Sequence, residues 1–178
     1  MNNHLSVREI VESDIELIIN YWQNANDEFL VGMGVDLNKL PSSEEWKIML
    51  QHVVNDPIEI KKSFCTIWLE NNIPIGHCNV NKIIFGKEAF MHLHLWNSTS
   101  RKKGLGVELV KKSIQLFFQK LQLKELFCEP YSLNPAPNKT LEKIGFTFLK
   151  TYITIPGSLN FEQRVNLWQL KKEKLTDL

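Results

Sequence analysis

The chain has 178 residues, of which 43% are hydrophobic, and its 21 basic and 20 acidic residues give a formal net charge of +1. This length and composition favour one globular domain over residues 1–178 and disfavour intrinsic disorder. The near-neutral charge disfavours general binding to nucleic acid or to an anionic membrane.

The cysteines and the N-terminal residues indicate the compartment. Cys65, Cys78 and Cys128 are odd in number and have no CxxC spacing, which favours free thiols in a reducing environment over disulfides or a zinc cluster. The first ten residues, MNNHLSVREI, resemble no signal peptide, and the chain has no apolar run long enough for a membrane span. We therefore expect a soluble cytoplasmic protein that is a monomer or a homodimer.

The first half of the chain predicts one strand and then two helices. Residues 5–10 are expected to form the strand, and Ser13 is a predicted N-cap for a helix over residues 14–24. Residues 25–41 are predicted to be a packed or ligand-facing loop because they mix glycine with large apolar side chains. Ser42 has capping-box spacing before a second helix that ends near residue 54.

The second half alternates between strand and helix patterns. The predicted strands are residues 63–70, 73–84, 89–96, 124–129, 146–155 and 161–170. A long amphipathic helix is predicted from Leu105, and a short one over residues 138–144 that ends at Gly145. A mixed sheet with helices on both faces is the economical arrangement of this order.

The turn before the long helix is a candidate anion site. Arg101, Lys102 and Lys103 precede Gly104 and Gly106, and a helix N-terminus presents unpaired backbone N–H groups at the positive end of its dipole. A diphosphate suits such a turn, although a plain helix entry with solvated lysines is the alternative. The P-loop and the dinucleotide fingerprint both fail, because the turn has no Gly-Lys-Ser/Thr and position 109 is leucine.

Two sequence blocks resemble the GNAT superfamily of acyl-CoA-dependent N-acetyltransferases. Residues 101–106 match its pattern Arg/Gln-x-x-Gly-x-Gly/Ala, and residues 134–146 are similar to the N-x-x-S-x-x-x-x-E-K-x-G-F block of the ribosomal-protein-alanine acetyltransferase-like branch. The resemblance implies a mixed α/β fold with a mostly antiparallel seven-stranded sheet, helices on both faces, and splayed fourth and fifth strands. It implies acetyl-CoA as co-substrate, an amine as acceptor, and no metal.

The resemblance also implies which residues bind the co-substrate. The pyrophosphate would lie on the backbone of the turn, and the pantetheine arm would pair with the fourth strand and with the side chain of Asn134, while Lys139 would approach the phosphates. The implied co-substrate residues are His94, Leu95, Trp96, Arg101, Lys102, Lys103, Gly104, Leu105, Gly106, Asn134 and Lys139.

Acetyl transfer to an amine needs a proton acceptor, for which imidazole is suited. His92 and His94 are two apart on one predicted strand and so face the same side. We take His92 as the first candidate base and His94 as the second, against the alternative that both are core histidines. A three-histidine metal site with His77 is disfavoured because no carboxylate or cysteine ligand pattern accompanies it.

The general acid is harder to assign. The tyrosine that many superfamily members use to protonate the thiolate corresponds to Leu141, and the serine sometimes found nearby corresponds to Pro137. Tyr131 and Tyr152 are possible substitutes. A CoA-binding or regulatory module without catalysis is therefore the alternative to an active enzyme.

The resemblance places the acceptor between the loop that follows the first helix and the loop between the last two strands. Acidic residues there would attract a cationic amine, and apolar residues would form walls, unless they are merely solvated and core side chains. The acceptor candidates are Asp27, Glu28, Phe29, Met33, His77 and Phe161. A small amine and a protein N-terminus both fit.

Overall fold

The structure, a computed structural model, describes residues 4–96 and 105–177. The strands in these ranges are β1 Leu5–Glu9, β2 Phe64–Glu70, β3 Ile73–Ile84, β4 Glu88–Leu95, β5 Glu125–Cys128, β6 Thr147–Thr154 and β7 Gln163–Lys171. The α-helices are α1 Ile15–Gln23, α2 Asp27–Gly32, α3 Ser43–Asn55, α4 Leu105–Leu121 and α5 Pro135–Ile144. Short 3-10 turns occur at Glu12–Asp14, Leu37–Lys39, Ile58–Ile60 and Lys172–Asp177.

The strands form one seven-stranded sheet in the order β1-β2-β3-β4-β5-β7-β6. Neighbouring strands are antiparallel except β4 and β5, which are parallel. The β4–β5 ladder ends at the pair Met91 and Cys128, whereas β4 continues to Leu95 beside β3. Pro130, which has no backbone N–H to donate to a ladder, follows the end of β5. The predicted fold and the splay between the fourth and fifth strands are therefore confirmed.

Helices cover both faces of the sheet. The apolar face of α4 packs on one side in a core that includes Ile114, Phe117 and the buried Leu141 of α5. The opposite face is covered by α1 and α3, whose Trp22 and Trp46 belong to a second core. The amphipathic helix predicted from Leu105 is therefore confirmed.

Two local predictions differ from the structure. The predicted loop over residues 25–41 contains α2, which begins because the Asn26 side chain accepts a hydrogen bond from the backbone N–H of Phe29 at 2.8 Å. Ser13 is not an N-cap: residues 12–14 form a 3-10 turn, and the Asp14 carboxylate accepts hydrogen bonds from the Val11 N–H and from Arg8. Six-residue helices and 3-10 turns are too short to produce a clear periodicity.

Other helix ends follow the sequence more closely. The capping box of Ser42 and Glu45 is present at the start of α3, and Gly145 ends α5 in the left-handed region with φ 101°. Helix α5 begins at Pro135, three residues earlier than predicted, because Asn134 caps it and proline is tolerated in a first turn. In the part of the chain that the structure describes, no helix is both long and apolar enough to cross a membrane.

Candidate active site

A cavity of about 670 Å³ lies between the centre of the sheet and the layer formed by α1 and α3. It extends to the point where β4 and β5 separate, since Met91, Cys128 and Pro130 are among its lining residues. Asn134, at the start of α5, also lines it. The cavity thus connects the strand splay with the space beneath the N-terminal helices.

The floor of the cavity is a row of polar side chains on β3 and β4. His77, Asn79 and Asn81 alternate along β3 with Cys78 and Val80, which are buried in the core on the α4 side. On β4, His94 is the ladder partner of His77, and His92 is the partner of Asn79. Five polar side chains therefore share one sheet face, on which His77 is buried and the other four are partly buried.

The three histidines of this row are held in the neutral form. The rings of His77 and His94 stack with centroids 4.6 Å apart, and the indole N–H of Trp96 donates to His77 Nδ1 at 2.7 Å. Burial lowers the pKa of His77 to about 3 and that of His92 to about 4, with smaller contributions from the charges of His92 and Lys82 respectively. Burial, followed by the neighbouring histidines, lowers the pKa of His94 well below its ordinary value. All three imidazoles are thus uncharged at neutral pH.

A buried carboxylate lies at the splay. Glu129 is 8% exposed and lines the cavity. Its Oε1 accepts a short hydrogen bond from Tyr152 Oη, and its Oε2 lies 3.4 Å from Lys82 Nζ. Burial and the Glu129 carboxylate raise the pKa of Tyr152, which keeps the phenol protonated as the donor. Sequence reasoning did not single out Glu129, which stood as the last residue of a predicted strand.

Lys82 reaches Glu129 because β3 is irregular at that point. The β3–β4 register shifts between Asn81 and Ile84, and Lys82 has a left-handed φ of 48°. Its ammonium passes 4.6 Å from the centroid of the Phe90 ring on β4. An irregularity of this kind redirects a side chain, and here it lets a β3 residue contact the end of β5.

The loop between β6 and β7 is fastened to the segment after α2. Val35 and Asn160 form an isolated antiparallel bridge, and the Asp36 N–H donates to the Leu159 carbonyl at 2.8 Å. The carbonyl oxygen of Gly34 accepts from Asn160 Nδ2 and from Gln163 Nε2, each at 2.9 Å. Because Val35, Leu159, Asn160 and Gln163 line the cavity, the two joined segments act as its roof.

The structure brings some of the sequence-derived candidates together. His77, His92 and His94 lie on the floor of the cavity, and Met33 and Asn134 also line it. The Oδ1 atom of Asn134 caps α5 by accepting from the Ala136 N–H at 3.3 Å.

Other candidates lie outside the residues that line the cavity. Asp27 and Glu28 are exposed in the first turn of α2, and Lys139 is exposed on α5. The aromatic rings of Phe29 and Phe161 pack edge-on against Tyr21 and Tyr131.

The remaining co-substrate candidates flank the end of β4 and the start of α4. Leu95 packs against the core on the α4 side, and the indole of Trp96 is bonded to His77. Leu105 and Gly106 begin α4. The predicted diphosphate residues Arg101, Lys102, Lys103 and Gly104 lie outside the described residues.

The described residues contain no cluster of three or more His, Cys, Asp or Glu side chains that could hold a metal ion. Cys65, Cys78 and Cys128 are free and buried. Among the described lining residues, the groups that can hold or orient a proton include the imidazoles of the floor, the Glu129 carboxylate and the Tyr131 phenol.

Comparisons with known proteins give one matching family and many similar folds. The sequence model described as "Acetyltransferase (GNAT) domain" matches residues 4–147. No relative was found among curated protein sequences.

Among solved structures, spermidine N-acetyltransferase from Vibrio cholerae in complex with CoA and spermine is 15% identical, with a TM-score of 0.76 over 97% of this chain and 98% of that chain. The ribosomal L7/L12 alpha-N-protein acetyltransferase RimL, in complex with coenzyme A, is 16% identical, with a TM-score of 0.74 over 94% and 93% of the two chains. An uncharacterized protein from Bacillus halodurans is 16% identical, with a TM-score of 0.73 over 99% and 88%. These similarities concern the fold.

Proposed function

Since the chain belongs to the GNAT acetyltransferase family, we propose that it transfers the acetyl group of acetyl-CoA to a primary amine. The observation that carries this proposal is the cavity at the strand splay, where the β4–β5 ladder ends at Met91 and Cys128. A thioester entering at the splay would meet an amine held over the polar floor. We also propose that residues 1–178 form one domain.

The residues around the splay suit a CoA arm. Beyond Met91, β4 runs on without β5, and the N–H of Trp96 donates to the Ile75 carbonyl at 2.9 Å, which keeps this end of β4 attached to β3. The Oδ1 atom of Asn134 caps α5, so its amide nitrogen is the group we assign to the arm. The 17-residue α4 follows Arg101, Lys102 and Lys103 in the sequence, and we propose that its N-terminal end receives the diphosphate.

In the proposed reaction, the amine nitrogen attacks the thioester carbonyl carbon, a C–N bond forms, and the C–S bond breaks. The proton lost by the amine needs an acceptor, and the departing thiolate needs a proton. His92 is our first candidate acceptor because its imidazole is neutral at pH 7 and its Nε2 is buried in the cavity. His94 is the second histidine candidate.

Glu129 is an additional candidate acceptor. Its carboxylate lines the same cavity, and Lys82 and Tyr152 orient it. An imidazole with a pKa near 4 binds a proton weakly, so a carboxylate in the same cavity provides a further place for the proton. Tyr131 also lines the cavity and is our candidate for protonating the thiolate.

One observation favours a module that binds CoA without catalysis. Leu141 stands at the position where many family members have the tyrosine that protonates the thiolate. Its side chain, on the inner face of α5, is 0% exposed in the core. That position therefore supplies no proton donor. Positioning an amine beside a thioester nevertheless contributes much of the rate in such reactions, and Tyr131 or water can protonate the thiolate.

Calorimetric titration of acetyl-CoA, followed by measurement of free thiol with added amines, tests the proposal. We expect binding by the wild type, its loss in Gly104→Glu, and release of free CoA when an amine is present. The matched control is Gly86→Glu, at a glycine that is not among the lining residues of the cavity and where an added Cβ atom meets no atom within 4 Å, although φ is 75°. Binding without thiol release would favour the inactive module, and no binding by the wild type would refute the proposal.

A further inference from the structure

The buried polar atoms that lack hydrogen-bond partners all belong to the cavity. Within the described residues these atoms are Trp46 Nε1, Asn81 Oδ1, His92 Nε2 and Gln163 Oε1, and all four side chains line the cavity. Buried polar groups are rarely left unpaired in proteins, because each costs about 1–3 kcal/mol. Their concentration in one place indicates a surface that binds polar groups of a ligand.

The donor or acceptor character of two of these atoms is fixed. Trp46 Nε1 can only donate. Gln163 Nε2 donates to the carbonyl oxygens of Gly34 at 2.9 Å and Phe161 at 3.3 Å, which leaves Oε1 as an acceptor beside Gly34. A ligand that satisfies both must therefore accept at one point and donate at another, and a hydroxyl group can do either.

The carboxylates of the cavity already have partners, and Lys62, which also lines it, is exposed. Among its described lining residues, the carboxylates are Glu129 and Asp56. Glu129 contacts Lys82 and Tyr152, and Asp56 Oδ1 lies 3.2 Å from His52 Nδ1. The histidines of the floor are neutral. A second ammonium group on the acceptor would find no unengaged carboxylate there, and moving a charge out of water without a partner is costly.

The roof restricts the size of the acceptor. The two roof segments are joined by the Val35–Asn160 bridge with its bond from the Asp36 N–H to the Leu159 carbonyl, by the two bonds to Gly34, and by a bond from Lys39 Nζ to the Asn160 carbonyl at 2.8 Å. Gly157 in this loop approaches the floor closely, since a Cβ atom there would lie 3.8 Å from His92 Cε1 and 4.0 Å from Asn81 Nδ2. A polypeptide crossing this side would have to separate the two segments.

We propose, resting on the proposed function, that the acceptor is a small amine whose remaining groups are uncharged and carry hydroxyls, and that Asn81 contributes to this selectivity. The unpaired atoms of Asn81, Trp46 and Gln163 bind the hydroxyl groups, while the amine lies toward His92 and Glu129. Polyamines and protein N-termini are disfavoured by the paired carboxylates and by the closed roof.

Four linear amines of one chain length test the proposal by changing only the far end: 5-amino-1-pentanol, pentylamine, 1,5-diaminopentane and 5-aminopentanoate. A short peptide with a free N-terminus is the fifth probe. We expect kcat/KM for the amino alcohol to exceed that for pentylamine by roughly threefold to tenfold, as one neutral hydrogen bond gives. The values of kcat/KM for the diamine and for the amino acid should be lower than that for pentylamine.

Two variants connect the selectivity to Asn81. In Asn81→Leu, the ratio of kcat/KM for the amino alcohol to that for pentylamine should fall to about one, since the hydrogen bond is lost. Aspartate has almost the same shape as asparagine, so Asn81→Asp is the test variant if the leucine variant does not fold. It should raise kcat/KM for the diamine relative to kcat/KM for the amino alcohol. Asn20→Leu, on the exposed side of α1, should leave all ratios unchanged.

The outcomes separate the two proposals. A preference for the diamine or the peptide would overturn the acceptor class while leaving the acetyltransferase proposal intact. Ratios unchanged in both Asn81 variants would overturn the role of Asn81. Acetyl-CoA binding without thiol release for any of the five probes would contradict the acetyltransferase proposal and the acceptor class together.

Discussion

The imidazole rings of His77 and His94 stack in neighbouring strands with centroids 4.6 Å apart and planes 19° from parallel. The Trp96 indole N–H donates to His77 Nδ1, so that nitrogen carries no proton. Two imidazolium ions in such contact would repel each other without solvent to screen them. The stack is therefore a structure of the neutral side chains.

The first prediction is a loss of stability on acidification. In the unfolded chain a histidine binds a proton below a pH of about 6.5, whereas in the folded protein burial lowers the pKa of His77 to about 3. Between these values the unfolded state binds more protons, so the free energy of unfolding falls as the pH falls, by about 1.4 kcal/mol per pH unit for each such histidine. Urea denaturation at several pH values between 6.5 and 4.5 measures this slope.

A matched pair of variants tests whether His77 contributes to this slope. In His77→Asn, the change in the free energy of unfolding per pH unit should be smaller by about 1.4 kcal/mol, which corresponds to one proton, even if the variant is less stable at pH 7. His52→Asn removes a histidine whose side chain is 70% exposed and is the control. An identical slope for His77→Asn and the wild type would contradict the neutral, buried state of His77.

Much of the fold could be predicted because its periodic segments are long. The alternating pattern of the strands and the amphipathic pattern of α4 each extend over many residues, and the cap residues Ser42 and Gly145 identify helix ends. The six-residue α2 gives less than two turns of pattern, and its Asn26 cap was read as part of a loop. Its six residues owe their conformation to packing, as the burial of Leu30 shows.

The site was predictable only in part, for a different reason. The alternation of His77, Asn79 and Asn81 indicates one polar face of β3, but the same pattern occurs when that face meets water. Only the layer of α1 and α3 makes the row the floor of a cavity. The contact between Lys82 and Glu129 spans 47 residues of sequence and depends on a left-handed residue within a strand, which no local pattern reveals.

The second prediction concerns the proton acceptor. His92→Ala should lower kcat by about 100-fold, at the low end of general-base contributions, and should leave acetyl-CoA binding within about twofold by calorimetry. Glu129→Gln should have a similar effect, and the double variant should be little worse than the poorer single one if both residues serve one proton path. Values of kcat within twofold of the wild type would remove the substituted residue from the mechanism.

The third prediction is the pH dependence of the same step. Because burial lowers the pKa of His92 to about 4, its imidazole accepts a proton only in the form present above that value. Activity that depends on neutral His92 is therefore complete above a pH of about 5 and is lost on acidification through 4. A loss of kcat/KM centred near pH 6.5 that disappears in His92→Ala would contradict this assignment.

The fourth prediction tests the roof at Gly34. Its φ is 86°, and a Cβ atom there would lie 2.1 Å from Gln163 Oε1. Gly34→Ala should lower the free energy of unfolding by about 1–3 kcal/mol through backbone strain and displacement of Gln163. The control is Gly32→Ala at the last residue of α2, where an added Cβ atom meets no atom within 4 Å, and it should be neutral or stabilising by up to about 1 kcal/mol. Equal effects of the two substitutions would show that the Gly34 conformation is not required.

The last prediction separates the strain of Lys82 from its charge. A left-handed conformation costs a residue with a side chain about 1–2 kcal/mol, and Lys82 adopts it with φ 48° while its ammonium contacts Glu129 at 3.4 Å. Lys82→Gly removes both the strain and the charge, whereas Lys82→Met removes only the charge. Both variants should lower kcat, because Glu129 loses the cation that orients it.

The two Lys82 variants should both lose activity, but they should differ in stability. Lys82→Gly should be more stable than Lys82→Met by about 0.5–1 kcal/mol in urea denaturation, since glycine adopts positive φ without a steric penalty. Strain that is retained where it lowers stability but supports activity is a property of functional sites. Wild-type kcat in both variants would mean that the Lys82 ammonium is not needed to orient Glu129 for the reaction.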